Sequence, residues 1–532
     1  MAETIQQLLR ERAEDDTPGV LHAGGSTSWR EHLAESSVEA AALIALLDTD
    51  RPPHVGVLLG NTPQMLRAMA GAALGGYVLC GINTTRRGAG LAADVLRAEC
   101  QVLLTDAEHR HLLDALGPGE LDGVRVVDTS SPEWTGLVES AGELTPLREV
   151  GAMDTFMMIF TSGTSGDPKA VQVAHLMVLF SGLNLVDRFA MTPADVCYLS
   201  MPLFHSNAVV AGWAVAIASG AAMVPAKFSA SHFLEDVRRH GATYMNYVGR
   251  PLAYVLATPE QPDDGDNPLR VAFGNEASDR DIDEFSRRFG CDVMDGFGST
   301  ELAVIITREP GTPLGSIGKG FDGVAVYDSE NVAECAVAVF DEHGALTNAD
   351  EAVGELVNTQ GAGYFGGYYN DEQANSDRLR HGMYWSGDLA YRDADGWIYL
   401  AGRTADWMRV DGENIAAAPV ERILSRLEAI NRVAVYAVPD AHVGDQVMAA
   451  VVLQDETELD PAELEDFLHA QADLSPKAWP RYVRIASGLP ATATNKVLKR
   501  ELVAQGATAG AGEQLWEREE RGTRYSVVTL VS

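Results

Sequence analysis

Residues Met158 to Val171 read MIFTSGTSGDPKAV, and this stretch decides the fold prediction. An apolar run ends in six small hydroxyl or glycine residues, with Lys169 three positions further on. The six are Thr161, Ser162, Gly163, Thr164, Ser165 and Gly166. Glycines admit a ligand close to the main chain, consecutive N–H groups form an anion-binding nest, and lysine adds a compact charge. We therefore predict a loop that binds a triphosphate, although Asp167 and Pro168 exclude the spacing GxxxxGK[ST].

The composition limits the classes of partner. The 532-residue chain has a formal net charge of −36, with 46% hydrophobic and 22% charged residues. Such an acidic surface repels nucleic acid and anionic lipid headgroups, so neither is predicted as a direct partner. Five cysteines without CxxC spacing are expected to be reduced. The N-terminal stretch lacks a basic region followed by an apolar region, so we predict no secretory signal and a cytoplasmic location.

One apolar run approaches the length of a membrane span. Residues 208–225 read AVVAGWAVAIASGAAMVP and carry no charge. The run is rich in alanine and glycine and lacks flanking aromatic belts and a positive cluster. A buried core helix is therefore predicted in preference to a span, with peripheral membrane contact at most.

The order of patterns predicts an α/β chain with two domains. Short β-rich runs such as HVGVLLG alternate with helical patterns. Near Arg403 the character changes, because PVERILSRLEAI places apolar residues at helical spacing through Ile430 and two strand patterns follow. Asp460 and Pro461 then fit the N-cap and first position of another helix. We predict a large multi-sheet N-terminal domain over residues 1–402 and a small mobile α+β C-terminal domain over residues 403–532.

The quoted loop resembles the phosphate loop TSGTTGxPK of the adenylate-forming superfamily, which comprises acyl-CoA synthetases, luciferases and peptide-synthetase adenylation domains. Other stretches resemble superfamily segments in the same chain order, over about residues 30–505. FGNEA resembles the adenine-side loop, with Gly274 and Asn275. DGFGSTE resembles the segment whose aromatic residue stacks on adenine. There the resemblance implies nucleotide contacts for Asp295, Gly296 and Phe297.

Catalytic roles also follow from the resemblance. Thr300 is implied to meet the α-phosphate, and Glu301 to bind Mg²⁺. LPATATNKVLKREL resembles the C-terminal segment PRTxSGKxxR, which implies that Lys496 is the mobile catalytic lysine, preceded here by Asn495 in place of glycine. His205 completes the predicted catalytic set.

The remaining implied contacts lie in the last third of the chain. YWSGDLAYRDADGWIYLAGRTADW resembles the ribose clamp, so Asp388 is implied to bind the ribose hydroxyls and Arg403 to lie by the ribose and phosphates. Gly412, in DGENI, is implied to lie on the coenzyme A side. Ala405 occupies the hinge position.

The resemblance implies a fatty acid–CoA ligase. In amino-acid-activating members an aspartate usually follows the aromatic residue of the segment that PLFHS resembles. Here His205 follows Phe204, which argues against an α-amino acid as the substrate. The segments around Gly412 and Asn275 look most like the very-long-chain acyl-CoA synthetase or fatty-acid-transport-protein branch. The implied substrates are ATP, a fatty or similarly apolar carboxylate and coenzyme A, with Mg²⁺ as cofactor.

Two alternatives remain open. An acyl-AMP ligase would deliver the acyl group to a carrier protein, and a catalytically silent binding protein would share the scaffold. Lys169, Thr300, Glu301, Asp388 and Lys496 are all present, which argues against the silent protein. The sequence leaves open the acyl chain length, whether the acid is aliphatic, aromatic or steroidal, and whether the protein is a monomer or a homodimer.

Overall fold

A computed structural model gives the fold of most of the chain. It describes residues 2–161, 168–249, 251–342, 344, 346–403, 407–410, 413–440, 444–455, 457–471, 473–491, 497–510, 512–519 and 522–528. The chain divides into two compact units. The first comprises Met1–Ala303 and Ala362–Asp377, and the second comprises Val304–Gly361 and Arg378–Ser532.

The strands alternate with helices through the first half of the chain and dominate the second half. In chain order the strands are β1 Pro18–His22, β2 Gly25–Ser28, β3 His54–Leu58, β4 Val78–Gly81, β5 Val102–Thr105, β6 Arg125–Asp128, β7 Thr155–Thr161, β8 Lys169–Ala174, β9 Val196–Leu199, β10 Ala222–Pro225, β11 Tyr244–Val248, β12 Val271–Asn275, β13 Asp292–Asp295, β14 Ile306–Thr307, β15 Lys319–Gly320, β16 Val324–Asp328, β17 Ala333–Glu334, β18 Gly354–Asn358, β19 Leu379–Arg380, β20 Met383–Arg392, β21 Ile398–Arg403, β22 Trp407–Val410, β23 Glu413–Ala416, β24 Ile430–Asp440, β25 Gly444–Leu453, β26 Tyr482–Ile485, β27 Gln514–Arg518 and β28 Tyr525–Val527.

The helices are mostly short. In chain order they are α1 Ile5–Glu11, α2 Trp29–Ile44, α3 Pro63–Gly75, α4 Gly88–Arg97, α5 Arg110–Asp114, α6 Pro132–Glu139, α7 His175–Phe189, α8 Ala214–Ser219, α9 Phe233–His240, α10 Pro251–Leu256, α11 Asp279–Phe289, α12 Ala349–Ala352, α13 Glu372–Arg378, α14 Ala417–Leu424, α15 Pro461–His469 and α16 Lys499–Gln505. A π-helix, Ala208–Trp213, leads directly into α8, and a short 3₁₀-helix spans Pro476–Ala478.

Two largely parallel sheets form the frame of the first unit. One has the strand order β13-β12-β11-β9-β10-β1-β2 and the other the order β6-β5-β3-β4-β7-β8. Pairing is parallel in both except for β2 against β1 and β8 against β7. Strands of parallel sheets are usually covered on both faces, and β3, β4 and β5 are accordingly buried along their whole length. Ligands bind such sheets at the carboxyl ends of the strands.

The apolar run from Ala208 is buried, but it is not one helix. It forms the π-helix and α8, turns at Gly220 and then enters the sheet as β10. The Trp213 ring stacks on Phe156 with 5.4 Å between ring centroids. The predicted core helix is therefore correct for residues 208–219 and wrong beyond them, because residues 222–225 pair with β9. No helix among the described residues is long and apolar enough to cross a membrane.

The second unit is built mainly from antiparallel sheets. One sheet has the order β17-β16-β18-β20-β19, with β21 pairing with β20, and a short pair is formed by β14 and β15. The last sheet has the order β23-β22-β25-β26-β27-β28, with β24 pairing with β25. Apolar residues of α14, β24, β25 and α15 form its core, including Val420, Val435 and Leu464.

Local sequence signals explain several helix boundaries. Asp460 caps α15 by accepting from the backbone N–H groups of Ala462 and Glu463, each at 2.9 Å, as its position before Pro461 predicted. The helix predicted through Ile430 instead ends at Leu424. Ile430 is taken into β24, where it pairs with Leu453. The predicted α/β fold class is confirmed, whereas the predicted domain boundary at residues 402–403 stays a prediction.

A buried ion pair provides a test of the first unit. Arg288 Nε donates to Asp264 Oδ2 at 2.6 Å, and both side chains are 4% exposed. Asp264→Ala should lower the free energy of unfolding by about 3–5 kcal/mol, because it leaves a buried guanidinium without its counter-charge. Urea unfolding followed by tryptophan fluorescence measures the change.

The neighbouring residue gives the control for that experiment. Asp263 pairs with Arg238 at 3.2 Å on the surface, where its side chain is 66% exposed. Asp263→Ala should therefore cost less than about 1 kcal/mol. Equal destabilisation by the two substitutions would contradict the assignment of a stabilising role to the buried pair.

Candidate active site

The carboxyl ends of three neighbouring strands define the candidate site of the first unit. β11, β12 and β13 pair in parallel, with Tyr247 opposite Gly274 and Gly274 opposite Asp295. Parallel pairing places the ends of these strands at one edge of the sheet. The structure thereby brings together the residues that the sequence predicted to surround adenine. These are Gly274, Asn275, Asp295, Gly296 and Phe297.

Gly274 is required because β11 and β12 approach each other closely at this position. A Cβ at this position would collide with the Tyr247 carbonyl oxygen and ring. The backbone N–H of Gly296 donates to the Gly274 carbonyl at 2.7 Å, which ties the two predicted adenine loops together. The half-buried Phe297 ring follows directly. Strand packing therefore accounts for glycine at position 274, because the space that a side chain would need is already occupied by Tyr247.

Asp295 holds the loop itself. Its buried Oδ1 accepts hydrogen bonds from Tyr247 Oη at 3.1 Å and from the backbone N–H of Ala277 at 3.2 Å. A charged acceptor of two donors is a strong anchor. In the structure Asp295 stabilises the turn after Asn275. Its predicted nucleotide contact stays a prediction.

Two non-glycine residues beside the site adopt left-handed backbone conformations. Glu276 has φ of 65° and Leu302 has φ of 44°. Such residues carry a conformational cost on the order of 1–3 kcal/mol each, and they cluster at functional sites. Each directly follows a predicted site residue, Asn275 in one loop and Glu301 in the other.

The predicted phosphate residues are held by side chains from distant parts of the chain. The hydroxyls of Thr300 and Ser206 lie 2.9 Å apart. The Glu301 side chain is buried, and its Oε1 accepts a hydrogen bond from Tyr368 Oη at 2.7 Å. The same Tyr368 ring lies beneath Lys169, whose Nζ is 5.1 Å from the ring centroid. One tyrosine thus contacts two predicted site residues of opposite charge.

The quoted loop connects β7 and β8. Thr161 ends β7 and pairs across the hairpin with Lys169, the first residue of β8. Ser162, Gly163, Thr164, Ser165 and Gly166 lie outside the described residues. The predicted phosphate loop therefore starts and ends on two hydrogen-bonded strands.

His205 is neutral at physiological pH. Burial lowers the pKa of its imidazole to about 4. Its Nε2 is buried and finds no hydrogen-bond partner in the described part of the chain, while its ring lies 4.5 Å from the Phe204 ring centroid. The imidazole therefore offers an uncharged polar edge, and the catalytic role predicted for it stays a prediction.

The two residues predicted to bind the ribose lie together in the second unit. Asp388 on β20 and Arg403 on β21 are register partners, and Arg403 Nε lies 3.1 Å from Asp388 Oδ1. The Asp388 backbone N–H donates to Ser386 Oγ at 3.0 Å. Glu355 lies close by, accepting from the Gly387 N–H at 2.6 Å, and burial raises the pKa of its carboxyl. The structure thus brings the two predicted clamp residues together.

Two further predicted site residues are not described. Lys496 and Gly412 lie outside the described residues, as do Ala405 and Asn495. Their predicted roles stay predictions.

The described residues suit a magnesium nucleotide. Mg²⁺ keeps most of its waters and is typically bound by one or two carboxylates together with substrate phosphates. Glu301 supplies one buried, oriented carboxylate next to the hydroxyl of Thr300. No cluster of three or more His, Cys, Asp or Glu side chains able to form a protein-only metal site occurs in the described ranges.

Three residues that contact predicted site residues were not predicted from the sequence. Tyr368 lies 67 residues from Glu301, and Ser206 lies 94 residues from Thr300. Asn207 donates to Asn275 at 2.9 Å. For Tyr368 a weak signal exists in GGYYND, because adjacent tyrosines between glycines and Asn370 suit an edge segment with one ring inside. Tyr368 is indeed buried, and Tyr369 is half-exposed.

Comparison with known proteins identifies the class. The structure of ATP-bound MatB from Rhodopseudomonas palustris aligns with a TM-score of 0.82, covering 95% of this chain and 99% of that one at 22% identity. The fold is therefore that of the adenylate-forming enzymes. The model of the AMP-binding enzyme family matches residues 9–369, and that of the AMP-binding enzyme C-terminal domain matches residues 419–496. The chain belongs to this family, and the predicted superfamily is confirmed.

Relatives resemble the chain over nearly its full length. The medium/long-chain-fatty-acid–CoA ligase FadD17 of Mycobacterium tuberculosis is 51% identical over 505 residues, covering 94% of this chain and 96% of that protein. The steroid-22-oyl-CoA synthetase of Rhodococcus jostii is 46% identical over 506 residues, covering 94% and 91%. Human long-chain fatty acid transport proteins are more distant relatives, in agreement with the predicted branch.

Tyr368 provides the test of this site. Tyr368→Phe removes the hydroxyl that donates to Glu301 and keeps the ring beneath Lys169. A hydrogen bond to a charged group is worth about 1.5–3 kcal/mol. We expect the Mg²⁺ concentration for half-maximal pyrophosphate release to rise about tenfold, with the KM for the carboxylic acid unchanged. A magnesium titration at saturating ATP measures it.

The adjacent tyrosine is a matched control. The Tyr369 hydroxyl bonds to the Glu99 carboxylate, which is not a predicted site residue. Tyr369→Phe removes a bond of the same kind and should leave the magnesium requirement as in the wild type. An unchanged requirement in folded Tyr368→Phe would exclude a role for Tyr368 in positioning Glu301.

Proposed function

We propose that the protein is a fatty acid–CoA ligase. It joins a medium- or long-chain fatty acid to AMP with MgATP and transfers the acyl group to coenzyme A, releasing pyrophosphate and then AMP. The observation that carries the proposal is the similarity to a fatty-acid–CoA ligase, which is 51% identical over 94% of this chain. The geometry agrees, because Gly274, Asn275 and Asp295 lie together at the carboxyl ends of neighbouring strands. The Glu301 side chain is buried.

The first step makes a leaving group. A carboxylate oxygen of the fatty acid attacks the α-phosphorus of ATP, the bond from that phosphorus to the bridging oxygen breaks, and pyrophosphate leaves. Positioning and charge neutralisation supply most of the acceleration of such a displacement. Mg²⁺, held by Glu301, would neutralise phosphate charge.

Protein groups orient the nucleotide in this proposal. Gly274 and Asn275 receive the adenine on one side, and Phe297 stacks on it. Thr300, fixed by Ser206, donates to the α-phosphate. Lys169 stabilises the outer phosphates, and Tyr368 keeps it near Glu301.

The ribose and the acyl group complete the substrate contacts. Asp388 accepts hydrogen bonds from the ribose hydroxyls, and Arg403 holds that carboxylate in place. The uncharged His205 suits an apolar acyl group, since it adds no charge to the pocket that would need solvation. An α-amino acid is disfavoured, because histidine rather than aspartate follows Phe204.

The second step consumes the acyl-adenylate. The thiol sulfur of coenzyme A attacks the acyl carbon, the carbon–oxygen bond to AMP breaks, and the thiol proton is released. We infer that residues 403–532 form a domain that rotates about Ala405 between the steps. The rotation withdraws Lys496 and presents Gly412 to the pantetheine arm.

We also infer that the ligase acts in the cytoplasm. Its five cysteines are free thiols, and Cys80, Cys100, Cys197 and Cys291 are buried. A reducing compartment supports this state. The proposed reaction also needs ATP and coenzyme A, which that compartment supplies.

A panel of carboxylic acids tests the function. Pyrophosphate release is measured with and without coenzyme A for fatty acids of increasing length, acetate, an amino acid, an aromatic acid and a steroid side-chain acid. Each buried methylene should stabilise the transition state by about 0.8 kcal/mol, and so raise kcat/KM, until the acyl site is filled. Acetate or an amino acid as the best substrate would overturn the proposal.

The panel also separates the alternatives. Steroid acids are included because of the steroid-22-oyl-CoA synthetase relative. Adenylate formation without transfer to coenzyme A would identify an acyl-AMP ligase. Absence of pyrophosphate release with every acid would identify a silent binding protein.

Lys496 distinguishes the two half-reactions. Lys496→Ala should slow acyl-adenylate formation by about two to three orders of magnitude, because a preorganised cation is lost from the transition state. Lys496→Arg should rescue poorly, since a planar fork does not replace a point ammonium. With synthetic acyl-adenylate and coenzyme A, Lys496→Ala should still form thioester at a substantial rate.

Lys499 is the matched control for Lys496. It lies three residues away, and its Nζ pairs with Glu421 at 2.9 Å. Lys499→Ala removes a lysine charge from the same segment and should leave both half-reactions intact. Equal loss of both half-reactions in Lys496→Ala would exclude the rotation inferred above.

A further inference from the structure

We propose that Asn207 and Asn246 are positioning residues for the nucleotide, because they fix the orientation of Asn275 through a directed chain of side-chain hydrogen bonds. The proposal rests on the proposed function, in which Asn275 contacts the adenine. Both residues act through Asn275.

The chain of bonds crosses three elements. Asn246 Nδ2 on β11 donates to Asn207 Oδ1 at 2.8 Å. Asn207 Nδ2, one residue before the π-helix, donates to Asn275 Oδ1 at 2.9 Å. Asn275 Nδ2, at the end of β12, donates to the Gly296 carbonyl at 2.7 Å. The three carboxamides therefore connect β11, the π-helix and both adenine loops.

The direction of the chain sets the rotamer of Asn275. A carboxamide has a donor end and an acceptor end that cannot be exchanged without a flip. Because Asn207 presents an N–H to Asn275, the oxygen of Asn275 must face Asn207 and its nitrogen must face Gly296. One N–H of Asn275 is then engaged by Gly296, and the second remains for the nucleotide.

Burial of the Asn246 carboxamide lowers the stability of the fold, so its presence calls for a role such as positioning Asn207. Its side chain is fully buried, and its Oδ1 has no hydrogen-bond partner among the described residues. A buried unsatisfied polar atom destabilises the fold, whereas an apolar side chain would not. The Oδ1 faces Gly212 of the π-helix, where a Cβ would lie 2.8 Å away. Glycine at 212 therefore makes room for this carboxamide.

The π-helix is held in register with the site. Tyr244 Oη, two residues before Asn246 on β11, donates to the Ala211 carbonyl at 2.6 Å. π-helices are rare and often occur at functional sites. The adjoining residues Ser206 and Asn207 contact the Thr300 loop and the Asn275 loop respectively. A two-residue stretch thus fixes the distance between the phosphate side and the adenine side.

The sharpest variant is Asn207→Asp. It keeps the size and the acceptor for Asn246 but replaces the N–H that faces Asn275 Oδ1 with an oxygen. Asn275 must then flip or withdraw. We expect the KM for ATP, and for synthetic acyl-adenylate in the second half-reaction, to rise about three- to tenfold, with the KM values for the fatty acid and coenzyme A within twofold of the wild type.

Two further proteins make the test decisive. Asn246→Ala removes the first donor and should raise the KM for ATP in the same selective way. Asn267→Asp is the control, because Asn267 Nδ2 donates to the carbonyls of Asp264 and Phe289, at 2.7 and 3.0 Å, and contacts no site residue. It should lower the melting temperature and leave the KM for ATP unchanged.

The outcomes are separable from the fate of the proposed function. ATP affinity of each protein is also measured by calorimetry with Mg²⁺, which needs no turnover. A wild type that binds ATP but activates no acid would refute the proposed function and leave this test intact. Unchanged ATP affinity in folded Asn207→Asp and Asn246→Ala, or unfolding of both while Asn267→Asp folds, would overturn the positioning role.

Discussion

Parallel pairing of β11, β12 and β13 is the constraint on which the candidate site depends. A parallel register delivers all three carboxyl ends to one edge, so residues from separate stretches of sequence become neighbours. Gly274 follows because its backbone runs against the Tyr247 carbonyl, where no side chain fits. The Gly296-to-Gly274 hydrogen bond then extends the pairing beyond the strands and into the loops.

Satisfying buried polar groups at that edge determines much of the surrounding structure. The Glu301 carboxylate is buried and accepts a hydrogen bond from Tyr368 Oη. Asp295 accepts hydrogen bonds from Tyr247 on β11 and from the Ala277 N–H in the loop after β12. Buried charges without such partners are strongly destabilising. The loops are therefore held by polar side chains that include predicted site residues.

Resemblance and local pattern could predict the residues that are contiguous in sequence. Gly274 with Asn275, and the segment from Asp295 to Glu301, appear as short motifs, and strand order then places them together. Asp460 was predictable because a cap acts within three residues. The Asp460 prediction is confirmed because the interactions that determine a helix cap are local.

Contacts between distant residues could not be predicted in this way. Tyr368 and Glu301, which share a hydrogen bond, are 67 residues apart in the sequence. A single tyrosine has the same sequence pattern whether it packs in the core or contacts a site residue. The π-helix was missed because an alanine- and glycine-rich apolar run is equally compatible with an α-helix. Ile430 fits a helical pattern, yet pairing with Leu453 in β24 outweighs it. In each case tertiary packing decides between locally equivalent conformations.

The acidity of the chain gives the site its particular chemistry. A net charge of −36 opposes the approach of ATP, but interactions between exposed charges are screened over about 8 Å at physiological salt. Affinity is therefore decided by groups within hydrogen-bond distance. Among the described residues that are predicted to contact the nucleotide, two offer oriented neutral dipoles, the carboxamide of Asn275 and the hydroxyl of Thr300, and Lys169 offers a charge. Neutral donors that are already held in place gain strength in a buried site without adding charges that must be desolvated. The hydrogen bonds that orient these neutral groups therefore matter for the predicted site, and Lys169 adds positive charge near Glu301 through their shared contact with Tyr368.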